Sequence, residues 1–321
     1  MKILSYKNYG GPEVLQVIDK EKPEPKSTQV LVKVYASSLN PAEWHLMRAT
    51  LFILRLAKGL FRPRNHYLGA DISGVITKVG SGVTRFKIGD EIYGRNLVGG
   101  FAEYACIDES RAYIKPNNID FEQAAAIPLA ALTALQGLKE GHVSDHKKIL
   151  INGASGGIGT FSIQFAKQYK TQVTAICSTQ NIGMVKSLGA DFVIDYTKEN
   201  IPARNEQYDL ILDLIGNLSV STTNKILKDG GTCVIIGFET FKNMLTGLMY
   251  HRNKTHPNKK NRKMLHTKIE QEDFKLITQL ITEEKISPII DKTFPLSDAQ
   301  KAFTYLGSKR AKGKVILTFH N

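Results

Sequence analysis

Four glycines, Gly153, Gly156, Gly157 and Gly159, lie within eleven residues of an apolar run in KILINGASGGIGTFSIQFAKQ, residues 148–168. Glycine allows a tight turn and a close backbone approach to a bulky anion. The run before the turn (Ile149, Leu150, Ile151) reads as a buried strand. After the turn, Ile158, Phe161, Phe165 and Ala166 recur at helical spacing. A helix that starts at such a turn presents unpaired N–H groups and the positive end of its dipole. Strand, glycine turn and helix together predict a dinucleotide pyrophosphate site, although Ala154 and Ser155 break the strict G-x-G-x-x-G spacing.

The elements that must hold this turn follow it. Residues 173–177, 192–195, 210–214 and 232–236 read as strands. Helices are expected at 183–188, closed by Gly189, and at 220–227, broken by Gly230 and Gly231. Apolar strands alternating with short helices predict right-handed βαβ units and a doubly wound parallel sheet.

Cofactor choice is read at the end of the second strand of that sheet. A site for a free ribose 2′-hydroxyl places an acid there. This chain has Cys177-Ser178-Thr179-Gln180-Asn181 and no acid. Hydroxyls and amides donate to a 2′-phosphate, so NADPH is favoured and NADH remains possible. The alternative is that Ser178 and Thr179 only cap the next helix.

The 321 residues suit two domains, and 42% hydrophobic content is ample for their cores. No apolar run reaches the length of a membrane span, and the start lacks the pattern of a secretion signal. The cysteines, Cys106, Cys177 and Cys233, are far apart and read as reduced residues in a cytoplasmic protein. The net charge of +13 draws on residues 242–268, which carry eight Lys or Arg and no acid. Such a run suits nucleic acid or an acidic surface. Without interleaved aromatic residues, a solvated, partly mobile excursion is the favoured reading and nucleic acid the lesser one.

The first third is of another kind. Residues 30–36 and 71–79 alternate as strands do, and glycines punctuate the region, which predicts a β-rich domain. Residues 121–138 and 274–281 read as helical. The last strand, 314–319, is expected to return to the β-rich domain.

From end to end the chain resembles the medium-chain dehydrogenase/reductase superfamily, in its zinc-free quinone oxidoreductase branch. The resemblance rests on YGGPEVLQV, KPEPKSTQVLVKVYASSLNPAEW, LGADISGVI, VGSGVTRFKIGDEIYG, GGFAEYA, AAAIPLAALTALQGL, LINGASGGIG, SLGADFVIDY and AKGKVIL. It implies an α/β chain in which a GroES-like catalytic domain, residues 1–122 with 270–321, accompanies an NADP(H)-binding Rossmann domain, residues 123–269. Where zinc-dependent members carry metal ligands, this chain reads Ser37-Ser38-Leu39-Asn40 and Gly69-Ala70-Asp71. The four-cysteine loop is missing, so no zinc is expected. His45 and His66 lack ligand partners in the sequence.

The resemblance also implies an activity, hydride transfer from NADPH to a quinone. Reduction of a 2-alkenal or enone is an alternative, as is an NADPH-binding protein whose basic segment takes RNA. It places Asn40 at the nicotinamide as the catalytic residue and Thr133 against the nicotinamide amide or ring. Ser155, Gly156, Gly157 and Ile158 line the pyrophosphate, and Ser178, Thr179 and Tyr196 hold the 2′-phosphate. Gly237 and Phe238 close over the nicotinamide. The family wording NPADW is altered at Glu43, which puts a polar role there in doubt. Residues 46–61 are unusually apolar, and Phe52 and Leu56 are read as a wall for a flat acceptor bound between the domains, with a lid helix or dimer contact as the alternative. A homodimer is expected.

Overall fold

Alternating segments punctuated by glycine mark the first third, and apolar runs flanked by glycine mark the middle. The computed structural model turns these two textures into two kinds of sheet. It describes residues 1–49, 55, 56, 58–96, 98–199, 201, 206–237 and 260–319. The first seven strands are β1 (Lys2–Tyr6), β2 (Leu15–Asp19), β3 (Gln29–Leu39), β4 (Asp71–Val79), β5 (Glu91–Arg95), β6 (Tyr104–Asp108) and β7 (Ala112–Ile114), with helix α1 (Pro41–Arg48) after β3. Helices α2 (Phe121–Ala125) and α3 (Pro128–Glu140) follow. Next come β8 (Lys148–Asn152), α4 (Gly157–Lys167), β9 (Gln172–Cys177), α5 (Ile182–Ser187), β10 (Phe192–Asp195), β11 (Tyr208–Asp213), α6 (Val220–Ile226), β12 (Leu227–Ile235) and β13 (Asn261–Met264). The chain ends with α7 (Gln271–Thr282), β14 (Ile290–Pro295), α8 (Ala299–Gly307) and β15 (Lys314–Thr318).

The chain divides into two units. One is Met1–Leu129 with Ile269–Glu284 and Pro288–Asn321; the other is Ala130–Lys268 with Lys285–Ser287. In the first, strands run in the order β14-β15-β3-β4-β5-β7, with β6 also on β3. The pairs β15–β3, β3–β4 and β4–β5 are antiparallel. Its core packs Val30, Val32, Val34, Ile72, Phe101 and Phe303, all buried. The last strand returns as expected, with Val315 opposite Leu39.

The second unit is a six-stranded sheet in the order β10-β9-β8-β11-β12-β13, parallel at every pairing. The central strands β8 and β11 are buried on both faces, which explains their continuous apolar runs. Reversal of strand order occurs between β8, with β9 on one side, and β11 on the other. A ligand site is expected at the carboxyl ends of these strands.

Two sequence readings need correction here. The fifth strand begins at Leu227, before the glycine pair that was expected to precede it. The β11 register jumps from Tyr208 opposite Leu227 to Leu210 opposite Thr232. The extra residues form an irregularity in which Gly230 takes a φ of +79°. The basic segment is also no excursion throughout. Its residues 261–264 are the sixth strand, and the charges there are engaged. Lys260 Nζ donates to Asn224 O at 2.5 Å, Lys263 pairs with Glu140 at 3.0 Å, and Arg262 donates to Thr223 Oγ1 at 3.3 Å. A strand set by hydrogen bonds to β12 needs no apolar pattern of its own, so composition hid it. Residues 242–259 lie outside the described residues. Among the described residues no helix is long and apolar enough to cross a membrane.

Candidate active site

In the second unit the chain leaves β8 at Asn152 and turns at Gly153, whose φ of +87° favours glycine. Gly156 then caps α4 with extended backbone. Gly159 is required by close approach, since a Cβ there would lie 2.4 Å from Gly153 O. At Gly156 a Cβ would meet only Gly153 O, at 3.7 Å. Space is therefore open beside the first turn of α4, whose N–H groups have no intrahelical acceptor. Ser155, Gly156, Gly157 and Ile158 are half-buried around that space. This cradle fits a pyrophosphate.

The last residue of the stretch read for the 2′-phosphate organises the neighbourhood. Asn181 is buried, and its Nδ2 donates to Ser155 Oγ at 3.0 Å and to Ser178 Oγ at 3.2 Å. It joins a residue expected at the pyrophosphate to one expected at the 2′-phosphate. Its Oδ1 is buried without a partner, an expensive state that a bound donor would relieve. In the sequence Asn181 reads as one of several donors at the end of the second strand, and only the fold shows that it joins Ser155 to Ser178.

The reading of an acid-free second strand end needs correction. β10 pairs with β9 in register, with Asp195 opposite Cys177. That pairing brings a carboxylate from the neighbouring strand to the place where none was expected. Thr179 Oγ1 donates to Asp195 Oδ2, and Thr197 donates from N at 3.0 Å and from Oγ1 at 2.6 Å to Oδ1. These bonds, that of Thr179 foremost, hold the Asp195 carboxyl below its ordinary range. Thr179 is thus committed to Asp195, while the Tyr196 side chain is 60% exposed.

Thr133, buried on α3, shares a hydrogen bond with Thr267 Oγ1 at 3.1 Å. Gly237 follows β12 where a Cβ would lie 2.1 Å from Leu214 O. Phe238 lies outside the described residues. Asn152 and Asp213, opposite each other on β8 and β11, close the carboxyl edge of the sheet: Asn152 Nδ2 donates to Asp213 Oδ1 at 2.7 Å. Burial raises the Asp213 carboxyl above its usual value, against the donors Asn152, Gly216 and Leu218.

In the first unit, β3, β4 and β15 bring together Asn40, Asp71 and Lys314, and α1 adds Glu43. All four are buried, Asn40 to 2% exposure and Lys314 to 4%. Lys314 Nζ donates to Asn40 Oδ1 at 2.5 Å and Leu39 O at 3.1 Å, and lies 3.9 Å from Asp71 Oδ2. Asn40 Nδ2 donates to Asp71 Oδ2 at 3.0 Å, and Ser38 Oγ donates to the same oxygen at 3.2 Å. Glu43 Oε2 accepts from the Asn40 backbone N–H at 2.7 Å. Asn40 is extended, with a φ of −126°, and begins α1 with Pro41 in its first turn.

Glu43 therefore has a polar role, contrary to the doubt raised by its departure from the family wording. The Asp-to-Glu change keeps the carboxylate that an N-terminal box needs three residues after Asn40. Burial, then repulsion by Asp71, raises the Glu43 carboxyl to about 7, against the pull of Lys314. Burial lowers the Lys314 ammonium, against Asp71 and Glu43.

A zinc ion takes three or four Cys, His or carboxylate ligands, and among the described residues no group of three or more such side chains comes together. Ser37 donates to the Asp71 backbone carbonyl at 2.6 Å and Ser38 to Asp71 Oδ2 at 3.2 Å, while Asp71 Oδ1 is buried without a partner. Cys106 sits in β6, and burial raises its thiol to about 11. His45 and His66 are half-buried, and His66 Nδ1 lies 3.2 Å from Tyr6 O.

Of the expected acceptor wall, Phe52 lies outside the described residues, and Leu56 is 62% exposed.

Comparisons with known proteins place the chain in a family. The profile described as "Alcohol dehydrogenase GroES-like domain" matches residues 26–117, and "Zinc-binding dehydrogenase" matches residues 188–317. The chain is 36% identical to the NADPH-dependent alkenal/one oxidoreductase, chloroplastic, of Arabidopsis thaliana, over 99% of this chain and 79% of that protein. It is 31% identical to a quinone-oxidoreductase homolog, chloroplastic, of Spinacia oleracea, over 99% and 98%. The quinone oxidoreductase structure from Coxiella burnetii superposes with a TM-score of 0.89 at 29% identity, covering 100% of this chain and 99% of that one. A sheet order, a glycine cradle and full-length likeness point one way: the chain belongs to the medium-chain dehydrogenase/reductase superfamily, to the quinone oxidoreductase branch of its oxidoreductases.

Proposed function

We propose that this protein reduces conjugated carbonyl compounds, quinones first among them, at the expense of NADPH and without zinc. The observation that carries the proposal is the open cradle at Gly156, where α4 begins at the carboxyl edge of the parallel sheet. The relative from Arabidopsis thaliana that matches 99% of this chain is named for NADPH. NADPH supplies the hydride when bound. The first turn of α4 would bind its pyrophosphate, with Ser155 and Ser178 oriented by Asn181. Ser178 and the exposed Tyr196 would meet the 2′-phosphate, where Asp195, tied down by Thr179 and Thr197, is a poor acceptor for a ribose hydroxyl. Thr133, Gly237 and Phe238 are assigned to the nicotinamide end.

Asn40 is the residue assigned to the chemistry. Its carboxamide is fixed from both sides by Lys314 and Asp71, so it presents one orientation without reorganisation. In this acceptor class the electron demand lies in the substrate, and the protein positions and desolvates it. Reduction of 2-alkenals and enones uses the same hydride step, and the name of the relative from Arabidopsis thaliana supports it as the second reading. Oxidation of NADPH against a panel of quinones, 2-alkenals and saturated aldehydes tests both. Turnover with quinones ahead of alkenals supports the first reading and the reverse order the second. Turnover confined to saturated aldehydes rejects both.

A further inference from the structure

We propose that the turn of residues 58–64, with Leu56 beside it, is a docking surface for an anionic phospholipid bilayer. The inference starts from which side chains this loop shows. Leu56 is 62% exposed, Leu60 41% and Phe61 87%. Lys58, Arg62 and Arg64 are exposed beside them, while Gly59 and Pro63 are buried. Among the described residues from 56 to 64, every exposed side chain is thus either apolar or cationic. Between Glu43 and Asp71 the chain contains no Asp or Glu at all.

The display is held by the fold. Arg64 N donates to Lys58 O at 2.7 Å and closes the loop at its base. Gly59 N donates to Arg55 O at 2.8 Å, and Tyr9 Oη donates to Gly59 O at 2.8 Å. The Arg55 guanidinium lies over the Tyr9 ring, 5.2 Å from its centroid. Gly59 has a φ of +124°, and a Cβ there would lie 2.0 Å from Arg62 O, so the turn admits glycine alone. Leu60 and Phe61 are thereby carried at the tip of a closed loop with cations on both sides.

This combination selects its occupant. Phe and Leu gain by entering the boundary between headgroups and acyl chains, and Lys and Arg gain by staying among anionic headgroups. A nucleic acid would use the cations and leave Leu56 and Leu60 in water. A second copy of this chain, meeting the loop symmetrically, would bring like charges together. An anionic lipid surface matches both halves of the loop. The inference is independent of the reaction proposed above and replaces the acceptor-wall reading of Leu56.

The full-length protein should co-sediment with vesicles of phosphatidylcholine mixed with phosphatidylglycerol, and weakly with phosphatidylcholine alone. Added salt should release it. Phe61→Asp should weaken binding about tenfold or more. Arg62→Glu and Arg64→Glu should each weaken it about fivefold or more. All three sites are exposed, and an unchanged thermal unfolding curve checks that the variants are folded. In Phe61→Trp, quenching by brominated lipid should report entry of the tip. Equal vesicle binding by wild type and Phe61→Asp overturns the proposal. So does equal binding to neutral and anionic vesicles, or self-association that Phe61→Asp abolishes. Loss of acceptor turnover in Phe61→Asp with vesicle binding intact returns the loop to the substrate.

Discussion

Lys314, the first residue of the last strand, donates from Nζ to Asn40 Oδ1 at 2.5 Å across 274 positions of sequence. This bond and that from Asn40 Nδ2 to Asp71 fix the one carboxamide to which the reaction is assigned. A free carboxamide flips easily. One held between an ammonium and a carboxylate presents its faces unambiguously.

Removing that ammonium leaves Asp71 buried and unpaired. Lys314→Met should lower the unfolding free energy by about 3–5 kcal/mol, read by chemical denaturation. Asp71→Asn in the same background should restore part of the loss, because the uncompensated charge is then gone. An additive double variant would show that the pair is not coupled.

Glu43 should make stability depend on pH. Its folded value is raised to about 7 from an ordinary 4.5. Between those values the folded state binds more protons than the unfolded state. Stability is therefore fully retained below the unfolded value and falls as pH rises through the folded one. The loss should be on the order of 3 kcal/mol. Glu43→Gln should flatten this segment of the curve, as denaturation series at several pH values would show.

The two glycines of the cradle should separate binding from folding. Gly159→Ala drives a Cβ against backbone at 2.4 Å and should cost about 1–3 kcal/mol of stability. Gly156→Ala meets only an oxygen at 3.7 Å and should fold normally. Its added methyl group should nevertheless weaken NADPH binding about ten- to hundredfold. Calorimetric titration beside a thermal melt reads both variants.

Tyr196→Ala should raise KM for NADPH by about ten- to hundredfold and leave that for NADH little changed, if its hydroxyl meets the 2′-phosphate. Equal losses with both cofactors would assign Tyr196 to the fold instead.

If the reaction proceeds without zinc as proposed, dialysis against a strong chelator should leave turnover intact. Stoichiometric zinc in an elemental analysis, with activity lost on its removal, would sink this assignment.

Local rules made much of this protein legible in its sequence. The glycine turn needs positive φ and small residues at fixed positions, so Gly153, Gly156 and Gly159 announce the cradle. Strands buried on both faces must be continuously apolar, so β8, β9, β11 and the core of β12 announce the parallel sheet. Motifs spread over the whole chain carried the family. Tertiary structure alone decided what depends on residues distant in sequence. Asp195 reaches the end of the second strand only through parallel pairing with Cys177. Asn181 becomes a bridge only when the turn brings Ser155 to it. β13 is a strand because β12 offers it hydrogen bonds, not because its charged sequence asks for one. Lys314 and Glu43 are ordinary charges in the sequence, and only burial beside Asn40 and Asp71 makes them an electrostatic unit. Periodicity and backbone conformation are written residue by residue. Burial of charge and pairing across strands are properties of the assembled chain.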